Sequence, residues 1–165
     1  MSDNSLNSSN MHSILFVCLG NICRSPAAQG IFQAIVDRKG TSDMFRIDSA
    51  GLYSGHQGQL PDRRMRSAAQ RRGYSLDHIA RPAGPADFLD FDTIVAMDDN
   101  NYEDLMHMAP SVEDSRKVVR MADYLTTHSI SYIPDPYYMG HDGFELVLDL
   151  LEEACAGLYE KLAGK

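Results

Sequence analysis

The sequence predicts an α/β domain: a four-stranded parallel sheet with helices on both faces. Three observations lead there. Short apolar runs and helical patterns alternate four times along the chain, the rhythm of strand–crossover–strand units. The first run, "SILFVCL" (13–19), is continuously apolar, as expected of a strand buried on both faces. The last helical pattern, "DGFELVLDLLEEACAGLYEKL", is amphipathic, so one face is free to cover a sheet.

The elements follow in order. After the first strand, "SPAAQGIFQAIVDRKG" reads as a helix, with Ser25 as N-cap and Pro26 at the first helical position. Ile31, Phe32, Ile35 and Val36 form its apolar stripe, and Gly40 stops it. "MFRIDSAG" (44–51) is a second strand ending in small residues, and "PDRRMRSAAQRRG" a second helix closed by Gly73. "FDTIVAMD" (91–98) is a third strand, followed by the helix "DNNYEDLMHMAP", which stops before Pro110. "RKVVRM" (116–121) is a weaker fourth strand. In the final helix Asp142 and Glu145 have capping-box spacing, and Phe144, Val147, Leu151, Cys155, Leu158 and Leu162 make the stripe.

The chain of 165 residues suits one domain. The polar start "MSDNSLNSSN" has neither a basic nor an apolar region of a secretory signal. Residues 1–11 are expected to be a disordered tail, and 12–165 the domain. The longest apolar run, Ile14 to Leu19, is too short to cross a membrane. The three cysteines are an odd number with no export signal, which points to free thiols in a reducing cytoplasm. A net charge of −8 argues against nucleic-acid binding by the whole surface. The basic cluster "DRRMRSAAQRR" (62–72) reads as a solvated helix face, with steering of a substrate or partner as the alternative.

Chemistry concentrates in "ILFVCLGNICRSPAAQ" (14–29). In parallel sheets ligands bind beyond the carboxyl ends of strands, and Cys18 ends the first strand. A lone cysteine is most often a small buried hydrophobe, and Cys155, in the last helix's stripe, fits that reading. A Cys18–Cys23 disulfide is disfavoured in a reducing compartment. No histidine of the six stands at metal-ligand spacing from another His or Cys, so no metal is expected.

A nucleophile accounts for more of the stretch. Gly20 can take positive φ and Asn21 tolerates the left-handed region, so the backbone N–H groups can turn inward as an anion nest. The next helix adds its positive end. A thiol at the base of this nest is expected to be held as thiolate. Ser25 can donate to it, and Arg24 supplies a fork matched to two phosphate oxygens. The nucleotide fingerprints G-x-x-x-x-G-K-[ST] and G-x-G-x-x-G are absent.

"VCLGNICRSP" (17–26) closely resembles the phosphate-binding loop of low-molecular-weight protein tyrosine phosphatases, whose signature is C-x5-R-[ST]. "DSAG" (48–51), "HIARP" (78–82), "FDTIVAMDDNN" (91–101) and "DPYY" (135–138) look like further blocks of that family, in its order. The resemblance implies a phosphotyrosine phosphatase with a four-stranded parallel sheet, no cofactor, phosphotyrosine proteins as substrates, and a monomer or weak dimer. It implies Cys18 as nucleophile carrying a phosphocysteine. Arg24 and the loop residues Leu19, Gly20, Asn21, Ile22, Cys23 and Ser25 would hold the phosphoryl group. Asp135 would be general acid and then base; the residues alone do not select it, because "IPDPYYMG" also reads as an ordinary surface loop. Ser49 and His78 would support the loop with Asn21 and Ser25. Cys23 would be the redox partner of Cys18. Tyr53 and Tyr137 would wall the crevice, and Tyr137 and Tyr138 match tyrosines phosphorylated in some members. Two rival readings are a thioredoxin-coupled arsenate reductase, which needs further mobile cysteines, and a phosphotyrosine-binding module without turnover.

Overall fold

The structure is a computed structural model and describes residues 11–164. Four strands form one parallel sheet: β1 (His12–Cys18), β2 (Phe45–Gly51), β3 (Thr93–Ala96) and β4 (Val118–Arg120), in the order β2-β1-β3-β4. The helices are α1 (Arg24–Arg38), α2 (Arg63–Gln70), α3 (Asp87–Asp90), α4 (Asp99–Met108), α5 (Val112–Ser115) and α6 (His141–Ala163). The expected tail falls outside the described residues, except Met11, which precedes β1.

The continuous apolar run of β1 is explained by burial on both sides. Ile14, Phe16 and Cys18 join the cluster built with α1 and α6, while Leu15 and Val17 join Phe88, Phe91 and Leu105. Phe32 of α1 sits 5.9 Å from the Phe16 ring, 5.5 Å from Phe45 and 6.0 Å from Tyr159. Burying a side chain of this size contributes roughly 1.5–3 kcal/mol. Cys155 is fully buried in the same cluster, as its place in the stripe predicts.

The connection from β1 runs through α1 to β2 on one side, and that from β3 through α4 to β4 on the other. The carboxyl ends of β1 and β3 therefore flank the point where strand order reverses, where open α/β sheets bind ligands. Val17 pairs with Ala96 and Cys18 with Gly51. Gly51 is required by close approach: a Cβ there would come 2.8 Å from the Asn21 Cβ and 3.0 Å from the Asn21 amide nitrogen.

Four local expectations are corrected. Ser25 is not the N-cap of α1; the helix starts at Arg24 behind Cys23 and has no side-chain cap, because the Ser25 hydroxyl turns inward to sulfur. Gly20 is not among the positive-φ residues; Asn21 alone among non-glycines takes that role, at φ 57°. What Gly20 provides is room, since a Cβ there would lie 3.1 Å from the His56 ring. Asp142 and Glu145 form no capping box: Gly140 caps α6, and Glu145 is engaged by Arg71 and Arg72. The short helices α3 and α5 add to the four expected, each only 4 residues, too short for a periodic apolar signal.

Candidate active site

The loop from Cys18 to Ser25 wraps one sulfur. The Asn21 N–H lies 3.3 Å from Cys18 Sγ, the Ser25 N–H 3.4 Å, and the Ser25 hydroxyl 3.1 Å. Hydrogen accounting orients that hydroxyl. Ser25 Oγ accepts from Asn21 Nδ2 at 2.8 Å, so its single hydrogen is free to point at the sulfur. The amides of Gly20, Ile22, Cys23 and Arg24 take no acceptor among the described residues. These donors and the start of a 15-residue helix make an electropositive concavity of the kind that holds tetrahedral oxyanions.

A buried polar network fixes the loop from behind. Asn21 Nδ2 also donates to Ser49 Oγ at 3.0 Å, and Ser49 passes its hydrogen to Gln29 Oε1 at 2.8 Å. Asn21 Oδ1 accepts from the Arg81 amide at 2.9 Å and from His78 Nε2 at 3.0 Å. His78 therefore carries a proton on Nε2 in this arrangement. Burial lowers its pKa from the ordinary value, with the Asp48 carboxylate opposing. A left-handed non-glycine residue is unfavourable in isolation; here four side-chain bonds hold Asn21 in place.

Arg24 is almost fully buried. Its Nη1 donates to Asp98 Oδ2 at 2.7 Å and to the Ile133 carbonyl at 2.9 Å. Nη2 lies 3.5 Å from Asp135 Oδ2. The guanidinium is hydrogen-bonded through Nη1 alone, so its Nε–Nη2 edge can still serve a bidentate ligand beside the Asp135 carboxylate. Asp135, on the loop before α6, takes the Tyr137 amide on Oδ1 at 3.1 Å and stays partly exposed.

The crevice over the sulfur has a volume of about 130 Å³ and is lined by Cys18, Leu19, Gly20, Ile22, Cys23, Arg24, Tyr53, His56, Asp135, Tyr137 and Tyr138. Nine of the sequence-predicted residues meet here, since Cys18, Leu19, Gly20, Ile22, Cys23, Arg24, Tyr53, Asp135 and Tyr137 all line it. Asn21, Ser25, Ser49 and His78 form the network beneath. Sequence reasoning missed Asp98 and His56. Asp98 lies in the block "FDTIVAMDDNN", and an aspartate between a strand and the start of a helix is the available signal. His56 packs 5.8 Å from the Tyr53 ring and 6.2 Å from the Tyr137 ring, and nothing local announces that. Cys23 is buried, which pushes its thiol pKa up, as do the nearby acidic groups. No group of three or more His, Cys, Asp or Glu among the described residues is arranged to hold a metal ion.

The family model for low molecular weight phosphotyrosine protein phosphatase matches residues 13–165. This chain belongs to that family. A Synechocystis relative is 46% identical over 149 residues, covering 90% of this chain and 95% of its own. A low molecular weight protein-tyrosine-phosphatase from Bacillus subtilis is 40% identical over 149 residues, covering 90% and 94%. The crystal structure of a protein tyrosine phosphatase from Entamoeba histolytica superimposes with a TM-score of 0.90 at 44% identity, covering 93% of this chain and 97% of its own. The phosphatase family is one of hydrolases acting on phosphoproteins, and its four-stranded parallel fold is the one seen here. No described helix is long and apolar enough to cross a membrane.

Proposed function

We propose that this phosphatase hydrolyses phosphotyrosine in proteins through a phosphocysteine on Cys18, in two in-line displacements. The observation that carries the reading is the meeting of Cys18, Arg24 and Asp135 in one aromatic-walled crevice. The Cys18 thiolate attacks phosphorus as the ester P–O bond breaks, and Asp135 gives its proton to the departing phenolate. Water then attacks phosphorus, Asp135 takes its proton, and the P–S bond breaks to release phosphate and thiolate. Arg24 and the loop amides hold the equatorial oxygens, whose charge grows in the transition state. Ser25 stabilises the sulfur as it leaves. Tyr53 and Tyr137 fit a phenyl ring, with His56 between them.

Arsenate reduction is disfavoured by Cys155, which is fully buried and whose thiol burial pushes up. It is poorly placed to relay a disulfide. A binding module without turnover would not need Asp135 in the crevice that holds Cys18. The free thiols agree with a cytoplasmic setting.

The deciding assay is hydrolysis of a phosphotyrosine peptide and p-nitrophenyl phosphate in excess chelator, by wild type and Cys18→Ser. Metal-independent release of phosphate by wild type alone is the expected result. No turnover by reduced wild type rejects the reading.

A further inference from the structure

The basic cluster at 62–72 builds a second pocket beside the crevice. Helix α2 and the start of α6 line it with Arg63, Arg64, Ser67, Arg71, His141 and Phe144. No carboxylate lines it, in a chain whose net charge is −8. The carboxylates nearby are already committed. Asp62 receives the Arg64 fork at 3.1 and 2.9 Å. Glu145 is shared by Arg71 at 3.2 Å, Arg72 at 2.7 Å and His141 at 3.8 Å. Arg72 turns away toward Asp149 and Glu152, both at 2.9 Å. Arg63 has no acidic partner among the described residues.

The pocket is continuous with the crevice through one side chain. Arg64 lies over the Tyr137 ring at 5.3 Å and over the Phe144 ring at 4.8 Å. Tyr137 is also a crevice wall. The segment leading into α2 is pinned to the phosphate loop, since the Asp62 amide donates to the Ile22 carbonyl at 2.7 Å. A peptide leaving the crevice past Tyr137 therefore runs onto the arginines. An extended chain advances about 3.3 Å per residue, so side chains a few residues from the phosphotyrosine come within reach.

We propose that this pocket binds an acidic side chain of the substrate flanking the phosphotyrosine, and so selects acidic phosphopeptides. The proposal rests on the phosphatase reading above. The occupant follows from charge complementarity: guanidinium groups pair with carboxylates in a planar fork. Because the pocket is open to water, each pair is worth little, and the selectivity is salt-sensitive.

The test compares kcat/KM for three phosphotyrosine peptides of equal length: flanked by alanine, by glutamate on the amino side, and by glutamate on the carboxyl side. Wild type at low salt is expected to prefer one acidic peptide over the alanine peptide by about fivefold, mainly through KM, the scale of one exposed ion pair. High salt should erase the preference. Arg63→Gln, and Arg63→Gln with Arg71→Gln, should bring the ratio of acidic to alanine peptide toward one. Arg63 has no acidic partner to lose among the described residues, so the single variant tests the pocket with little expected effect on the fold. Equal use of all three peptides by wild type overturns the proposal, as does a preference that survives both variants. Failure of wild type to hydrolyse any peptide or p-nitrophenyl phosphate rejects the phosphatase reading itself, and the pocket's role with it.

Discussion

Arg24 and Asp98 form a 2.7 Å ion pair that joins the amino-terminal ends of two helices on opposite faces of the sheet. Asp98 Oδ2 takes the guanidinium, while Oδ1 accepts from the Asn101 amide at 2.8 Å and caps α4. One carboxylate thus fixes both the arginine and the helix that carries it. Asp98→Ala should destabilise the fold by about 3 kcal/mol, combining a lost cap with a buried guanidinium left short of its partner. Asp98→Asn keeps an acceptor for the cap and should lose less stability than Asp98→Ala while still lowering kcat/KM. Urea unfolding and kinetics on the same proteins check this; equal effects of the two variants on stability would argue against the capping role.

In the proposed mechanism Arg24→Ala would remove the contact that strengthens as charge develops on the phosphoryl oxygens. Its cost should reach about 3 kcal/mol or more in kcat/KM, as for loss of an oxyanion donor. A fall of less than fivefold would reject the assignment.

Asp135→Asn distinguishes an acid from a merely structural carboxylate. A tyrosine leaving group, with a pKa of about 10, needs the proton; p-nitrophenolate needs it far less. The variant should lose on the order of 100-fold in kcat/KM, which reports departure of the leaving group, on poor leaving groups and much less on good ones. Equal losses across a leaving-group series would remove Asp135 from that role.

Cys23 is the expected resolving thiol. Burial raises its pKa, so at neutral pH it is protonated. Peroxide should convert Cys18 to its sulfenic acid; attack by the Cys23 sulfur would then form the disulfide and release water. A reductant then restores both thiols. Cys23→Ser cannot form that bond, so its sulfenic acid should be lost to sulfinic acid. After peroxide and dithiothreitol, wild type should regain most activity and Cys23→Ser little; equal recovery would refute the pairing.

His78 makes stability pH-dependent in a defined sense. Its folded pKa is depressed below 6.5, first by burial. Between the folded value and 6.5 the unfolded chain binds the extra proton, so stability rises with pH through that window and is flat above it for this group. As pH falls through it, wild type should lose stability that His78→Gln does not lose. Parallel pH profiles of melting temperature for the two proteins would contradict this.

Much of this protein was legible in its sequence because the deciding signals are local. The apolar run 13–19 reads as a strand buried on both faces, and Ile14 to Cys18 are buried on both; the stripe of Phe144, Val147, Leu151 and Cys155 reads as a core-facing helix and is one. The loop motif from Cys18 to Ser25 carries its own turn, donors and helix start within eight residues. Elsewhere tertiary structure decided. Ser25 has the residue type and position of an N-cap, yet its hydroxyl goes to the Cys18 sulfur at 3.1 Å because the loop folds back over the strand end. Glu145 has capping-box spacing, yet two arginines 74 and 73 residues away take it. Asp98 meets Arg24 across 74 residues, and His56 meets Tyr137 across the crevice. Periodicity and spacing report what neighbours in the chain do for one another. Which carboxylate steadies the arginine, and which cations border the crevice, depend on contacts made only when distant elements pack.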